Sequence, residues 1–240
     1  MCSEQILSQA DVAHLISEGE VLGEGFYGIA YLVEWKDDDA VLKMNKDTSF
    51  EDLHLESYFL KKVDGAGGAP KLLALSHDPQ SILMSFMGHQ TLEDLLEASF
   101  DFPDSYFGML ALQICERVQE LHTLGVVHND LHLNNILVTD ITSPSPSVSI
   151  IDFGKAGYDE AALALLPPED EFHMIAEDAF AAERKEDVWN LGEICGRIFG
   201  AMKADPPESA VTAAKRAFEG DIDDAQELVD VLREAFIHPL

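Results

Sequence analysis

Two short polar motifs, joined by a hydrophobic segment, constrain the fold of this chain more than any other feature. The first motif, residues 128–135, reads H-N-D-L-H-L-N-N and runs directly into the apolar sequence I-L-V. The second, D-F-G, begins at Asp152, seventeen residues after Asn135. A short β-branched, apolar run bounded by polar residues is typical of a buried strand. We therefore expect a loop, a strand and a second loop that bring the carboxylates of Asp130 and Asp152 close to the amide of Asn135.

The pattern H-x-D-L-x-x-x-N followed by D-F-G resembles the catalytic signature of the protein kinase-like superfamily. The resemblance runs from about residue 20 to about residue 200. It implies an α+β, bilobal fold in a single domain at residues 20–240. The apolar residues within 1–19 predict a short helical leader before this domain. The small lobe, residues 20–87, is expected to be β-rich, and the larger helical lobe, residues 88–240, to be abridged.

The resemblance also implies roles for the residues of the two motifs. It implies transfer of a phosphoryl group from ATP, with Mg²⁺, to a hydroxyl group. Asp130 would orient the attacking hydroxyl, whereas Asn135 and Asp152 would hold the metal. His132 occupies a position at which protein kinases usually carry a lysine that supports the transferred phosphoryl group. A histidine supplies positive charge there only if a nearby phosphate stabilises its protonated form.

A glycine-rich segment near the N-terminus matches the loop that covers the phosphates in kinases. Gly23, Gly25 and Gly28 form the pattern G-x-G-x-x-G, which lets the backbone approach phosphate oxygens closely. The same pattern occurs in dinucleotide-binding folds, where a helix must follow the last glycine. Here residues 29–35 and 40–44 are β-branched, aromatic and apolar, and the turn sequence K-D-D-D separates them. This context predicts a β-hairpin and favours the kinase-type loop.

Lys43 lies near the end of the second predicted strand, in the manner of the V-A-I-K sequence of kinases. The resemblance implies that Lys43 contacts the α- and β-phosphates of ATP and pairs with a glutamate of the following helix. Glu56 is the preferred partner, because Leu60 then falls one turn later on the same helix face. Glu51 is the alternative partner, and a solvated helix carboxylate is the other interpretation of Glu56.

An adenine pocket between the lobes is a further implication of the resemblance. Six residues are assigned to it: Ala30, Val41 and Leu137 around the adenine ring, Met84 at the back, and Phe86 and Met87 through their backbone groups. Ordinary core packing is the alternative interpretation of these positions.

Two departures from the usual kinase pattern concern regulation. Asn129 replaces the arginine that, in many kinases, pairs with a phosphorylated activation loop. From residue 155 to residue 192, Tyr158 is the only residue that carries a hydroxyl group. Without a receiving cation, and with almost no acceptor hydroxyl, this segment is poorly suited to switching by phosphorylation. We therefore expect a Ser/Thr protein kinase that is active without activation-loop phosphorylation.

Two other functions stay open at this point. The histidine at position 132 and the altered substrate segment also resemble small-molecule kinases such as the aminoglycoside and choline kinases. An ATP-binding pseudokinase is the second alternative. Pseudokinases usually lose the lysine, the base or a metal ligand, whereas Lys43, Asp130, Asn135 and Asp152 are all present. The D-F-G and D-V-W-N-L-G sequences favour a protein kinase.

The charge balance bears on partners. Forty-five acidic residues against fifteen basic ones give a net charge of −30. Nucleic acids and anionic membranes are therefore unfavourable partners, because neither releases counterions to an acidic surface. A solubilising surface, a high-salt environment and a basic partner are the three explanations of the charge. Seven acidic residues lie within residues 159–178, beside the expected substrate cleft, which predicts a protein or peptide substrate with Lys or Arg near the acceptor. The alternative is that these carboxylates face away from the cleft and only solvate the lobe.

Cysteine content and hydropathy indicate the compartment. The three cysteines show no metal-binding spacing, and an odd number argues against a disulfide scaffold. No uncharged apolar segment approaches membrane-spanning length, and the N-terminal sequence lacks the basic start of a secretory signal. We therefore expect an intracellular protein, cytoplasmic or nuclear. The oligomeric state is not predicted.

Overall fold

The computed structural model describes residues 5–24, 28–45, 51–98, 100–143, 146–175 and 181–237, apart from the side chains of residues 51, 52 and 174. The chain forms an α+β fold of two lobes, with a β-sheet in the N-terminal part and mainly helices in the C-terminal part, as predicted. Within these described ranges, no helix is long and apolar enough to cross a membrane.

A six-stranded sheet forms the small lobe. Its elements are β1 (Gln5–Ile6), α1 (Gln9–Glu18), β2 (Glu20–Glu24), β3 (Gly28–Trp35), β4 (Asp38–Asn45), α2 (Glu51–Val63), β5 (Leu72–His77) and β6 (Gln80–Ser85). Among the described residues the strand order is β1-β5-β6-β4-β3-β2; β1 and β5 pair in parallel, and the other neighbouring strands pair antiparallel. The hairpin of β3 and β4 turns at Lys36 and Asp37, whose φ angles of 54° and 73° match the twist of a tight hairpin turn.

The N-terminal segment completes the outer face of this sheet. Gln5 and Ile6 pair with β5 as strand β1, which the sequence pattern did not predict. A capping box starts α1: the Ser8 hydroxyl oxygen accepts the Asp11 N–H at 3.2 Å, and the Asp11 carboxylate accepts the Ser8 N–H at 2.8 Å. Val12 and Leu15 are buried in a small hydrophobic cluster with residues of the sheet. The cluster also contains Leu7, Val33, Ala40, Leu42, Ala74 and Leu83.

Helices dominate the large lobe. Its elements are α3 (Leu92–Glu97), α4 (Asp104–Thr123), β7 (Val126–Val127), β8 (Ile136–Thr139), β9 (Ser147–Ile150), β10 (Gly157–Tyr158), α5 (Glu160–Leu163), α6 (Phe172–Ile175), α7 (Arg184–Gly200), α8 (Glu208–Phe218) and α9 (Ala225–Phe236). Buried residues of α4 and α7 belong to the main hydrophobic core, where Cys115 and Cys195 lie as free thiols. The two long helices thus form the rigid support for the loops that precede β8 and follow β9.

The β8–β9 hairpin brings the two sequence motifs together. Ile136 pairs with Ile150, so the residues just before β8 and just after β9 lie at the same open end of the hairpin. The N–H of Ile151 donates to the carbonyl of Asn135 at 3.0 Å, which extends the ladder by one bond. Asn135 and Asp152 therefore meet because the strands between them are antiparallel and in register.

Candidate active site

A cavity of about 820 Å³ lies between the lobes and collects most of the predicted site residues. The small lobe contributes Gly23, Gly28, Ala30, Lys43 and Glu56, and the large lobe contributes Asp130, Asn135 and Asp152. Asn134, Gly154 and Lys155 also line it, although the sequence analysis assigned them no role. The described lining therefore places two lysines, four carboxyl groups and three side-chain amides around one space.

Lys43 connects the two lobes through carboxylates on either side. Its Nζ lies 2.7 Å from Glu56 Oε2, on α2, and 2.9 Å from Asp152 Oδ1. The Glu56 side chain is only 2% exposed, so this ion pair is shielded from water. Leu60 is buried one turn later on the same helix, as the periodicity of α2 requires. The side chain of the alternative partner, Glu51, lies outside the described atoms.

Burial and the contacts among Lys43, Glu56 and Asp152 shift the pKa values of all three side chains. Burial opposes the charge on Lys43, but Glu56 and Asp152 outweigh burial and raise the pKa of Lys43. Burial raises the pKa of Glu56, and the Lys43 charge offsets part of that shift. Burial also opposes the charge on Asp152, yet Lys43 and the Gly154 N–H hold the pKa of Asp152 below its ordinary value. Lys43 is thus a permanent cation between two carboxyl groups.

Asp187 of α7 fixes the backbone of residues 128–135, which we call the Asp130 loop. Its carboxylate is fully buried and accepts the N–H groups of His128 at 2.8 Å and of Asn129 at 3.0 Å. Asn129 has a left-handed φ of 61°, which asparagine tolerates better than most residues. The buried carboxylate thus holds the Asp130 loop from the core side.

His128 links the Asp130 loop to the D-F-G segment. Its ring lies edge-on to Phe153, with 5.1 Å between ring centroids. Its Nδ1 accepts the Asp130 N–H at 3.3 Å, so Nε2 carries the proton and donates to the Ile151 carbonyl at 3.0 Å. Asp152, next to Phe153, has a left-handed φ of 67°. Strained backbone of this kind persists where the surrounding contacts enforce it, and here it accompanies the Lys43 contact.

Asp130 is flanked by two basic side chains and tied to Asn135. Lys155 Nζ lies 2.9 Å from Asp130 Oδ1, and His132 Nε2 lies 4.0 Å from the other carboxylate oxygen. The Asn135 amide nitrogen donates to the Asp130 carbonyl at 2.9 Å. His132 Nδ1 accepts the Asn134 N–H at 3.3 Å. The close cation at Asp130 is therefore Lys155 rather than His132.

The glycines of the G-x-G-x-x-G segment differ in what surrounds them. A Cβ at Gly28 would lie 2.2 Å from the Met44 carbonyl oxygen, so close strand packing excludes a side chain there. A Cβ at Gly23 would meet no described atom within 4 Å. Gly23 therefore opens onto the cavity, whereas Gly25 lies outside the described residues.

The residues assigned to adenine lie mainly beside the cavity rather than on its described lining. Ala30 lines it, and Val41 faces Met84 across the β4–β6 pair. Leu137 is buried at the start of β8, and the Phe86 ring lies edge-on to His89, with centroids 4.7 Å apart. Met87 Sδ lies 3.4 Å from the Ser85 hydroxyl. Of the six residues assigned to adenine, only Ala30 therefore belongs to the described lining of the cavity.

The segment after D-F-G is attached to α2 by a contact that the sequence analysis missed. The Tyr58 hydroxyl donates to Asp170 Oδ1 at 2.6 Å, and Lys62 Nζ lies 3.3 Å from Asp170 Oδ2. Tyr158 is buried, and its hydroxyl lies 3.1 Å from that of Tyr58. The rings of Phe172 and Tyr58 complete the contact at 5.7 Å between centroids. We call this group the Asp170 contact; it joins residues 112 positions apart, a separation at which no local pattern signals pairing.

Burial opposes the charge of Asp170. The hydrogen bonds from Tyr58 and from the Phe172 N–H, together with Lys62, outweigh burial and hold the pKa of Asp170 below its ordinary value. Asp170 therefore supplies a permanent negative charge against α2.

A family model described as "Protein kinase domain" matches residues 16–200 of this chain. The chain belongs to the protein kinase domain family. The match covers the glycine-rich segment, the Asp130 loop, the D-F-G segment and the whole of α7. The fold and the family model therefore agree on the protein kinase-like superfamily.

Curated protein kinases are among the relatives of this chain. It is 24% identical over 208 residues to calcium-dependent protein kinase 27 of Arabidopsis thaliana, covering 78% of this chain and 43% of that protein. It is 26% identical over 197 residues to an Aurora kinase of Debaryomyces hansenii, covering 74% and 45%. It is also 27% identical over 202 residues to the cytokinesis protein sepH of Aspergillus terreus, covering 77% and 14%. The chain thus spans less than half the length of each of these three relatives.

Proposed function

We propose that this chain is a protein kinase that transfers the γ-phosphoryl group of ATP to a serine or threonine hydroxyl of a protein substrate. The observation that carries the proposal is the arrangement of Lys43, Asp130 and Asp152 around one cavity. Lys43 is paired with Glu56 at 2.7 Å, so its charge is already oriented toward that space. Preorganised charge of this kind is the main contribution of a protein to phosphoryl transfer.

The oxygen atoms around the cavity suit Mg²⁺. Asn135 uses its amide nitrogen in a hydrogen bond to the Asp130 carbonyl, which leaves Oδ1 as the atom able to bind a cation. Asp152 accepts the Lys43 and Gly154 hydrogen bonds at Oδ1, so Oδ2 is its oxygen for a metal. Carboxylate and amide oxygens are ligands that Mg²⁺ accepts. Bound there, the ion would neutralise charge on the phosphate oxygens.

The remaining residues complete a site for ATP. In this proposal the α- and β-phosphates lie against Lys43, under Gly23 and Gly28, and Asp130 accepts the proton of the attacking hydroxyl. The open space beside Gly23 supports this placement, because a side chain there would occupy the space next to the phosphates. Adenine would lie among the six residues assigned to it from the sequence.

Activity without activation-loop phosphorylation is part of the proposal, supported by the Asp170 contact. An activating phosphate works by adding negative charge that orders a segment through new ionic contacts. Here Asp170 already provides an anion, bound to Tyr58 and Lys62 of α2, the helix that carries Glu56. The single hydroxyl between residues 155 and 192, that of Tyr158, is buried and hydrogen-bonded. A buried hydroxyl is a poor acceptor for another kinase.

A basic protein or peptide is the acceptor that the charge favours. The net charge of −30 attracts cationic substrates at long range. Glu160 and Glu169 are exposed in the segment that follows D-F-G, which adds acidic groups on that side of the large lobe. We therefore propose serine or threonine near Lys or Arg as the preferred sequence.

The test is incubation of the full chain with labelled ATP and Mg²⁺ against basic, acidic and neutral proteins and small hydroxyl compounds. We expect phosphorylation of serine or threonine in basic proteins, and none with Asp130→Asn. Turnover of a sugar or amino alcohol without protein phosphorylation would contradict the protein kinase proposal in favour of a small-molecule kinase. ATP binding without turnover of any acceptor would instead favour a pseudokinase.

A further inference from the structure

The ion pair between Lys155 and Asp130 has no part in the roles assigned so far. Lys155 directly follows D-F-G, lines the cavity and places Nζ 2.9 Å from Asp130 Oδ1. Its side chain is 53% exposed, so the pair contributes little to folding stability. The position of Lys155 in the cavity therefore suits a role in the reaction rather than in folding stability.

The proposed reaction brings negative groups together at this point. Asp130 and the non-bridging oxygens of the γ-phosphoryl group both approach the attacking hydroxyl. Negative charges brought close together in this way repel each other strongly. A cation between them would lower the energy of the arrangement. Among the lining residues that the structure describes, Lys43 and Lys155 are the only lysines or arginines. Lys43 is held between Glu56 and Asp152, so Lys155 is the cation within reach of Asp130.

His132 does not supply this charge in the observed geometry. Its Nδ1 accepts the Asn134 N–H at 3.3 Å, so that nitrogen is engaged by the backbone of the Asp130 loop. Its Nε2 is 4.0 Å from Asp130, beyond hydrogen-bond distance.

The backbone of Lys155 is positioned from the Asp130 loop itself. The side-chain amide of Asn129 donates to the Lys155 carbonyl at 3.0 Å. Asn129 is in turn fixed through its own N–H by the buried carboxylate of Asp187 at 3.0 Å. Two hydrogen bonds therefore connect Asp187 of α7 to the Lys155 backbone through Asn129. This anchoring fixes the backbone of Lys155 beside the Asp130 loop, from which its side chain reaches both Asp130 and the cavity.

We propose that Lys155 is a catalytic residue that binds the γ-phosphoryl group during its transfer, an inference that rests on the proposed function. The acceptor oxygen forms its bond to the γ-phosphorus as the bond from that phosphorus to the β,γ-bridging oxygen breaks. The acceptor proton passes to Asp130, and ADP leaves with the electron pair of the broken bond. Lys155 stays protonated throughout, moving from the Asp130 carboxylate to the phosphoryl oxygens as Asp130 takes up the proton.

The test compares Lys155→Met with Lys155→Arg and with Lys215→Met. Lys215 is 70% exposed on α8, so its replacement makes the same charge change away from the cavity. We expect Lys155→Met to lower kcat by about a hundredfold, in the range measured for removal of one donor to a developing charge. Lys155→Arg should retain most of the activity, and Lys215→Met should match the wild type. Unchanged or increased turnover in Lys155→Met would refute the inference, an increase indicating that the ion pair inhibits.

Two further measurements separate a catalytic from a structural role. Titration calorimetry should show that Lys155→Met weakens binding of a non-hydrolysable ATP analogue by about tenfold, the scale of one charge-assisted contact, and leaves ADP binding unchanged. Equal weakening of both nucleotides would contradict a contact with the γ-phosphoryl group. Adding His132→Lys to Lys155→Met should recover at least part of the lost kcat, because a lysine at 132 approaches the other Asp130 oxygen. No recovery would argue against the inference.

The Asp130→Asn variant distinguishes failure of this inference from failure of the proposed function. If the wild type and Asp130→Asn turn over ATP at the same rate, the proposed function is wrong. If Asp130→Asn is inactive and Lys155→Met is fully active, only the role of Lys155 is wrong.

Discussion

Replacing Asp170 by asparagine should loosen α2 and lower activity without disturbing the cavity itself. The substitution keeps the shape of the side chain and removes the charge that Tyr58, Lys62 and the Phe172 N–H contact at 2.6, 3.3 and 3.0 Å. Because α2 carries Glu56, any population in which α2 moves outward loses the Lys43–Glu56 pair. The Asp170 contact thus links stability to catalysis through one helix.

The loss of folding free energy expected for Asp170→Asn follows from the partners of Asp170. A hydrogen bond to a charged group contributes about 1.5–3 kcal/mol, whereas a neutral one contributes about 1 kcal/mol. The Lys62 pair adds little, because the Lys62 side chain is 40% exposed. Asp170→Asn should therefore cost about 1.5 kcal/mol and lower Tm by about 3–6 °C for a chain of this length. The same free energy applied to α2 would reduce kcat/KM by at most about tenfold.

The assay is thermal unfolding and initial-rate kinetics of Asp170→Asn beside Asp205→Asn. Asp205 is exposed, so its substitution makes the same charge change at a site without the contact. A double-mutant cycle with Tyr58→Phe should give a coupling energy of about 1 kcal/mol between the two side chains. Equal Tm and activity in the two asparagine variants, or a cycle without coupling, would contradict the role of the Asp170 contact.

Three further results are expected. Asp152→Asn should abolish phosphoryl transfer with a circular dichroism spectrum like that of the wild type, because it removes the proposed metal ligand and no core volume. Transfer at the wild-type rate would contradict the proposed role of Asp152. Phosphatase treatment should leave activity unchanged, and loss of most activity would show dependence on phosphorylation. The Ala162 N–H and the Arg184 guanidinium outweigh burial and hold the pKa of Asp159 below its ordinary value of 3.8. The Asp159 carboxylate therefore stabilises the fold above pH 3.8, and this stabilisation is lost as the pH falls below that value. Tm should fall more steeply below about pH 4 in the wild type than in Asp159→Asn, and parallel Tm curves would contradict this.

Local patterns predicted the parts of the fold that depend on near neighbours. The β3–β4 hairpin follows from β-branched, aromatic and apolar residues around a polar turn, and Leu60 lies one turn after Glu56 on α2, as the helical spacing predicts. Strand β1 was not predicted, because two residues, Gln5 and Ile6, pair with β5 about seventy positions away and carry no periodicity of their own. The same limit applies to the Asp170 contact, because Asp170 lies 112 positions from its partner Tyr58. Long-range pairs depend on the assembled fold rather than on spacing.

The structure links two departures from the usual kinase pattern, at positions 129 and 132, that look independent in the sequence. Asn129 and His132 each replace a cationic residue of the usual kinase pattern, and the sequence alone treats them as two losses. In the structure, the Asn129 amide holds the backbone of Lys155, and Lys155 places its charge on the side of Asp130 opposite His132. An arginine at 129 would bring a second cation toward Lys155 and would lack the carbonyl and short amide that suit a left-handed residue. Lys155, which directly follows D-F-G, and the residues at 129 and 132 are therefore parts of one arrangement. In this arrangement the cation beside Asp130 comes from the D-F-G segment instead of the Asp130 loop.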